Sequence, residues 1–442
     1  EFCVDGLFFP DRTPSTGALA VKNVYRPVTA RLIANGVLEL KNRLSFRNTS
    51  YITCHGKVML QGEAVFDFSF ACDIQPGATH IYNLNFEVSH GDVQILLDYF
   101  DGDKSVASEC VDASFELTKL NAPSAGRNIY VTQESGVVTV HYDAGIVRFS
   151  KEKGAVIGYS YCGKEYLAMR PGNYGNGRIY TNIYRAPIDN DRILNYVWKM
   201  YGYNDLTTEN VSVEAVQRDT YVDVAIINKL KDKRGKLRFT VNDVYTVRSN
   251  GQINVRSELK PVSKVQPYIP KIGKIIEMRP EFSEIIYFGS GPYESYPDFK
   301  EQSRPGVYHT NVDELPVNYI RPQESGNRTD IRYAVAMDKE GAGLMFLADS
   351  ELLNFNGKRY TDKALATFKH REDIVKEDDV IYYSVDGYML GVGSASCGPM
   401  TLPEYRLKCN RKYVYSFTVM PFTELKYVMA EIQSKTNNRE DK

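Results

Sequence analysis

Between residues 35 and 120 the chain repeats one pattern: short apolar or alternating runs set between turn residues. Residues 36–40 (Gly-Val-Leu-Glu-Leu), 57–60 (Lys-Val-Met-Leu), 65–70 (Val-Phe-Asp-Phe-Ser-Phe) and 93–97 (Val-Gln-Ile-Leu-Leu) show it most plainly. Alternation puts successive side chains on opposite faces of a strand, so one face meets a core and the other meets water. Roughly seven such strands in about 100 residues predict an immunoglobulin-like sandwich. Asn121-Ala-Pro-Ser-Ala-Gly126 then interrupts the pattern with small residues and a proline, as a linker does.

A longer strand-rich region follows. Runs at 137–142 and 146–149 flank an Asp-Ala-Gly turn, and 155–161 returns through Cys162-Gly163 to 164–167. Further strands are predicted at 211–216, 221–228, 236–247, 252–259, 285–288, 331–337, 343–348 and 413–419. A single open sheet of this size would curl or split, so a large two-sheet sandwich or a barrel is predicted. Leu425, Val428, Met429 and Ile432 recur at helical spacing, which predicts a short amphipathic helix over 423–433. The predicted class is all-β: an immunoglobulin-like β-sandwich over 20–120, a linker at 121–126, a large two-sheet β-sandwich over 127–433, and a polar tail at 434–442.

Charge narrows the function. Lys plus Arg number 54 and Asp plus Glu 55, so no basic stripe invites nucleic acid or an anionic membrane surface. No apolar run approaches the length of a membrane span. Seven scattered cysteines form no Cys-x-x-Cys and no Cys/His cluster. That speaks against a disulfide framework and a zinc site, and predicts a cytoplasmic setting.

The most informative loop is Gly289-Ser-Gly-Pro-Tyr-Glu-Ser-Tyr-Pro-Asp298. Its glycines and prolines exclude a helix or a central strand, and its two tyrosines and two carboxylates suit a polar ligand or a neighbouring domain. Glu294 and Asp298 do not read as a catalytic pair. A retaining glycosidase sets its two carboxyls about 5–5.5 Å apart on opposite sides of the sugar, normally from separate strands. Asp189-Asn-Asp191-Arg192 opens like a calcium loop but lacks the later ligands. No Gly-x-Ser-x-Gly elbow marks a nucleophile, and of six histidines only His309 lies near the loop.

Several segments, taken in order, resemble the LacZ-type β-galactosidases of glycoside hydrolase family 2. Phe2-Cys-Val-Asp-Gly-Leu7 with Pro10-Asp-Arg-Thr-Pro14 resembles that family's exit from its catalytic barrel, placing 1–19 there. Tyr184-Arg-Ala-Pro-Ile-Asp-Asn-Asp191 resembles its Arg-Ala-Pro-x-Asp-Asn-Asp signature, and 289–298 its Gly-x-Gly-Pro-x-Glu-x-Tyr-Pro-Asp segment. Tyr319-Ile-Arg-Pro-Gln-Glu-Ser-Gly-Asn327 is similar to its Pro-x-Glu-x-Gly stretch, and Val385-Asp-Gly-Tyr-Met-Leu-Gly-Val-Gly393 to its Asp-Gly-x-x-x-Gly-x-Gly stretch.

The resemblance implies a galactose mutarotase-like small-chain domain over 127–433 and a catalytic barrel, carrying both catalytic glutamates, that this chain lacks. The chain is then the C-terminal region of a retaining β-galactosidase acting on galactosides such as lactose, inactive by itself, with the barrel of the same or a companion polypeptide as its partner. Homo-oligomers are expected. Magnesium and sodium are implied for the full enzyme, with Phe2 (backbone carbonyl) and Asp5 as sodium ligands and Asp5 also at the sugar. Asp5 stands where the family commonly has Asn. The loop from Gly291 onward resembles a mobile loop, Gly291 giving it freedom and Glu294 and Asp298 anchoring it at the substrate rim. Cys397 lies where several family members carry an aromatic sugar platform, so that floor is not carried over. Arg185, Asp189 and Asp191 read as structural. The alternatives are a stand-alone carbohydrate-binding or scaffold module, and a mutarotase-like isomerase using His309.

Overall fold

The structure is a computed structural model that describes residues 6–86, 91–117, 128–169, 177–394, 400–426 and 429. It is all-β and divides into two units. The first comprises Glu1–Leu117 with Phe288–Ser295 and Phe299–Tyr308; the second holds the rest.

In the first unit a three-stranded sheet (Val28–Ala34, Val37–Asn42, Thr79–Asn83) packs on a four-stranded one, ordered Glu63–Ala71, Ile52–Leu60, Val93–Asp101, Lys104–Ser114. Val28, Leu38 and Leu40 from the first sheet meet Ile52, Cys54, Ile95, Leu97 and Tyr99 from the second in one core. The in–out alternation from Ile52 to Val58 shows why period two dominates the sequence here. Glu109 is the buried exception. It accepts hydrogen bonds from Tyr99 Oη (2.5 Å) and the Ala30 amide (2.8 Å), and pairs with Arg26 (3.0 Å). A helix, Thr16–Val24, precedes the first strand, capped by the Ser15 hydroxyl on the Ala18 amide. The strand pattern gave no sign of it, because a nine-residue helix with two buried positions carries little periodicity.

The second unit is a sandwich of two large sheets. A ten-stranded sheet runs Arg328–Ile331, Leu353–Lys358, Ile381–Met389, Lys271–Met278, Ile179–Asn182, Ala155–Tyr161, Gly145–Ser150, Val137–Tyr142, Ile129–Glu134, with Lys164–Glu165 attached to Ala155–Tyr161. The nine-stranded sheet runs from Thr207–Gln217 through Tyr221–Lys231, Leu237–Arg248, Ile253–Pro261, Tyr413–Phe422 and Gly343–Ala348 to Tyr333–Met337. Of its last two strands, only residues 284–287 and 309–311 belong to this unit. Rings cross between the sheets at Phe149–Tyr245 (5.4 Å) and Phe346–Phe355 (6.1 Å). Lys274 reaches across to Asp243 at 2.6 Å, both fully buried. Burial lowers the Lys274 pKa, against the pull of Asp243.

Three expectations need correction. The 289–298 loop starts later than predicted, since the strand Glu284–Gly291 carries through both glycines; the cis peptide Gly291–Pro292 follows its end. The strand expected at 331–337 is two strands, Arg328–Ile331 and Tyr333–Met337, in different sheets. Arg332 alone lies between them. The helix Arg192–Tyr201 was not foreseen; it follows Asp191 and ends on Gly202 in the left-handed region (φ +73°). Most of the predicted 423–433 helix lies outside the described residues.

Candidate functional site

Four of the sequence segments singled out above converge within the second unit. Arg185 is fully buried and forks onto Asp191, with N–O distances of 2.6 and 3.3 Å. Asp191 also accepts the Ile188 amide (3.0 Å), closing Arg185–Asp191 into a lasso. From that lasso, Asn190 donates to the Val392 carbonyl (2.9 Å), and Asp189 pairs with Arg321 (3.1 Å) at the surface.

Asp298 completes the knot. Its carboxylate accepts the backbone amides of Val392 (2.7 Å), Gly393 (2.9 Å) and Ser394 (3.0 Å). Three successive amides on one carboxylate form an anion-binding concavity, here filled by a side chain. The approach demands glycines: a Cβ on Gly391 would lie 2.5 Å from Asp298 Oδ2, and Gly393 adopts φ +138°. Asp298 thus fixes the start of the segment that leads to Cys397.

Behind the knot lies a line of buried ions that sequence reading did not find. Glu324 accepts from Lys358 (2.8 Å) and Asn356 (3.1 Å), and Tyr296 Oη approaches it at 3.4 Å. Lys358 also pairs with Asp362 (2.8 Å), and Asp362 with Lys271 (2.9 Å). Lys271 donates to Ser384 Oγ (3.0 Å), which donates to Asp386 (2.8 Å). The strands that carry them explain the arrangement. Asn356 and Lys358, Ser384 and Asp386, and Tyr180 and Asn182 alternate onto the face of the ten-stranded sheet turned away from the sandwich core. Burial opposes the charge on Asp362, yet Lys271 and Lys358 outweigh it and hold the carboxyl well below its usual range.

Asp386 behaves oppositely. Burial pushes its pKa up to about 6, with Lys271, 3.9 Å away, only partly opposing. A carboxyl whose pKa is raised on folding stabilises the fold below its unfolded pKa, and that contribution is lost as pH rises through about 6. Wild type is therefore expected to lose up to about 3 kcal/mol relative to Asp386→Asn between pH 4 and 7. Parallel denaturant curves at the two pH values check this; equal pH slopes in the two proteins would show that folding does not raise the Asp386 pKa.

The remaining site residues divide. Glu294 belongs to the first unit, is buried, and accepts from Thr16 Oγ1 (3.1 Å), while Gln302 donates to its backbone carbonyl (2.6 Å). Glu294 and Asp298 therefore have separate partners. Gly291 is buried at a strand end. His309 is exposed and does not line the cavity on the ion-bearing face. Phe2, Asp5 and Cys397 lie outside the described residues, so the sodium ligand set and the platform position are not described. Among the described residues no group of three or more His, Cys, Asp and Glu side chains could hold a metal ion, and no helix is long and apolar enough to cross a membrane.

Comparison with known proteins now bears on these motifs. Residues 143–419 match the family described as beta galactosidase small chain. The β-galactosidase of Actinobacillus pleuropneumoniae is 28% identical over 424 residues, covering 92% of this chain and 40% of its own length. That of Priestia megaterium is 28% identical over 442 residues, covering 95% and 41%. That of Oenococcus oeni is 26% identical, covering 94% and 42%. The chain thus spans about two fifths of the length of these relatives. A galactose 1-epimerase from Lactobacillus acidophilus aligns over 68% of this chain at 9% identity with a TM-score of 0.35. With its family match covering most of the large sandwich, the chain belongs to the β-galactosidase small-chain family.

Proposed function

We propose that this chain is the C-terminal region of a retaining glycoside hydrolase family 2 β-galactosidase that cleaves terminal β-D-galactosides such as lactose. The observation that carries the reading is the match of nearly the whole chain to about two fifths of each of several β-galactosidases. Its role is to complete the active-site rim and subunit interfaces around a catalytic barrel that supplies the acid/base and nucleophile glutamates. Magnesium and sodium would serve the complete enzyme, and its setting would be cytoplasmic.

Support from the structure lies in the knot at Asp298. The amides of 392–394 are held by one carboxylate and by Asn190, which stiffens the segment entering the proposed platform region. The proposed rim therefore rests on a rigid sheet, with Asp298 as a positioning residue. The mutarotase-like alternative needs a histidine and a carboxylate converging on one face, and His309 is absent from the cavity lining. Retention is tested on the complete enzyme by proton NMR of the first-formed sugar. β-Galactose is expected, and α-galactose appearing first would overturn the retaining mechanism.

A further inference from the structure

The ten-residue helix Arg192–Tyr201, wholly within the second unit, is apolar or aromatic nearly all round; only Arg192, Asn195 and Lys199 depart from that. Its inner face is anchored. Trp198 is fully buried, donates from Nε1 to the Tyr268 carbonyl (2.8 Å) and meets the Tyr184 ring edge-on at 6.5 Å. Leu194 and Val197 are half-buried. The outer face is the anomaly. Ile193, Tyr196 and Met200 are 78%, 67% and 54% exposed, and spacings of three and four residues set them in one stripe. Single exposed apolar residues need no explanation. A contiguous stripe on a helix whose other face is already apolar marks a surface that another body covers.

Charge says what kind of body fits. Arg192 and Lys199 are exposed, one towards each end of the stripe, and neither is ion-paired among the described residues. The matching surface is therefore an apolar groove with carboxylates near both ends. A second copy of this chain fits badly. Antiparallel pairing of the two helices about a twofold axis sets each Arg192 beside the other's Lys199, and parallel pairing sets like beside like. Both arrangements place cation on cation. Position then selects the partner. Asp191, the residue before the helix, holds Arg185, and Asn190 holds the Val392 carbonyl (2.9 Å). The stripe thus grows directly out of the knot beneath the proposed rim, and the body that borders the rim is the one nearest to it. The β-galactosidases matched above hold more than half of their length outside the matched region.

We propose that the Ile193–Tyr196–Met200 face docks onto the catalytic portion of the parent enzyme, in an apolar groove bordered by carboxylates that meet Arg192 and Lys199. Tyr196 is its central anchor, a large ring that buries much area for little lost freedom. This rests on the completing role proposed above and names the surface through which that role is exercised.

The test is hydroxyl-radical footprinting by mass spectrometry, on this chain and on the complete enzyme at equal radical dose, with carbodiimide cross-linking of the complete enzyme. Oxidation of Tyr196 and Met200 is expected to be about fivefold slower in the complete enzyme, since the core of an interface is packed like an interior. Lys199 is expected to be joined to a carboxylate of the catalytic portion. Equal oxidation in the two proteins overturns the proposal. So does protection in this chain alone that grows with its concentration, which would give the stripe to a second copy. Cross-links from Lys199 confined to carboxylates of residues 1–442 overturn it as well. The footprint reads the helix whatever the enzyme hydrolyses. A complete enzyme that releases no nitrophenol from a β-galactoside therefore fails the underlying reading, whereas an unprotected stripe in an active enzyme fails this proposal alone.

Discussion

Asp362→Ala is expected to destabilise the chain by about 3–5 kcal/mol, the cost of stripping the partner from a buried charge. The reason is local and specific. One carboxylate bonds two lysines, Lys358 at 2.8 Å and Lys271 at 2.9 Å, and all three side chains are at least nine-tenths buried. Burial favours neutral lysine, but Asp362 and its neighbouring carboxylates hold both ammoniums above their usual range. Without Asp362, Lys358 keeps Glu324, while among the described residues Lys271 keeps Ser384 and a carboxyl, Asp386, whose pKa is raised. Because the Asp362 pKa is depressed by folding, its contribution is present above the unfolded pKa and lost as pH falls through the folded one. Denaturant unfolding at neutral pH checks the size of the loss. A change below about 1 kcal/mol would place the residue with solvent-exposed ion pairs and contradict the buried network.

Asp298→Ala is expected to lower turnover by the complete enzyme about 100-fold while leaving the sandwich folded. Three backbone amides, those of Val392, Gly393 and Ser394, lose their acceptor at once. Among the described residues the segment keeps the Gly391 amide on the Tyr405 carbonyl at its base, the Asn190 bond to the Val392 carbonyl, and the Leu402 amide on Ser394 Oγ, while 392–394 lose all three amide acceptors and relax. Displacement by about 1 Å is enough to cost two orders of magnitude when a segment positions substrate. The effect should fall on kcat as well as KM, since a positioning residue changes the geometry of the reacting complex. Asp298→Asn, which retains one acceptor oxygen, should be intermediate. Wild-type kinetics in Asp298→Ala would show that this segment does not border the reaction.

How far these features were legible depends on where their polar groups find partners. Ile52–Leu60 and Leu237–Arg248 were readable because one face is wet and the other dry, and alternation follows. Lys271–Met278 was not, because all eight residues are buried and its lysines are satisfied by residues far along the chain, Asp243 and Asp362. Ile381–Met389 and Leu353–Lys358 escaped for the same reason: Ser384, Asp386, Asn356 and Lys358 break the apolar run while remaining inside. Polar residues at buried positions look like surface to a hydropathy pattern, and only tertiary pairing reveals them. Glycine spacing was a better guide. Gly391 and Gly393 stood out in the sequence, and their need for a bare backbone is explained by the approach of Asp298 and Asn190. The ion line itself had no local signature, since its members come from five separate stretches of chain.

The central claim, that this chain completes a galactosidase and does not catalyse alone, is tested most directly by release of nitrophenol from a chromogenic β-galactoside. The purified chain is expected to release none, and release should appear on mixing with the matching upstream portion of the enzyme. Turnover by the chain alone, with full-length contaminant excluded, would contradict the account and make Glu294 and Asp298 the first residues to mutate.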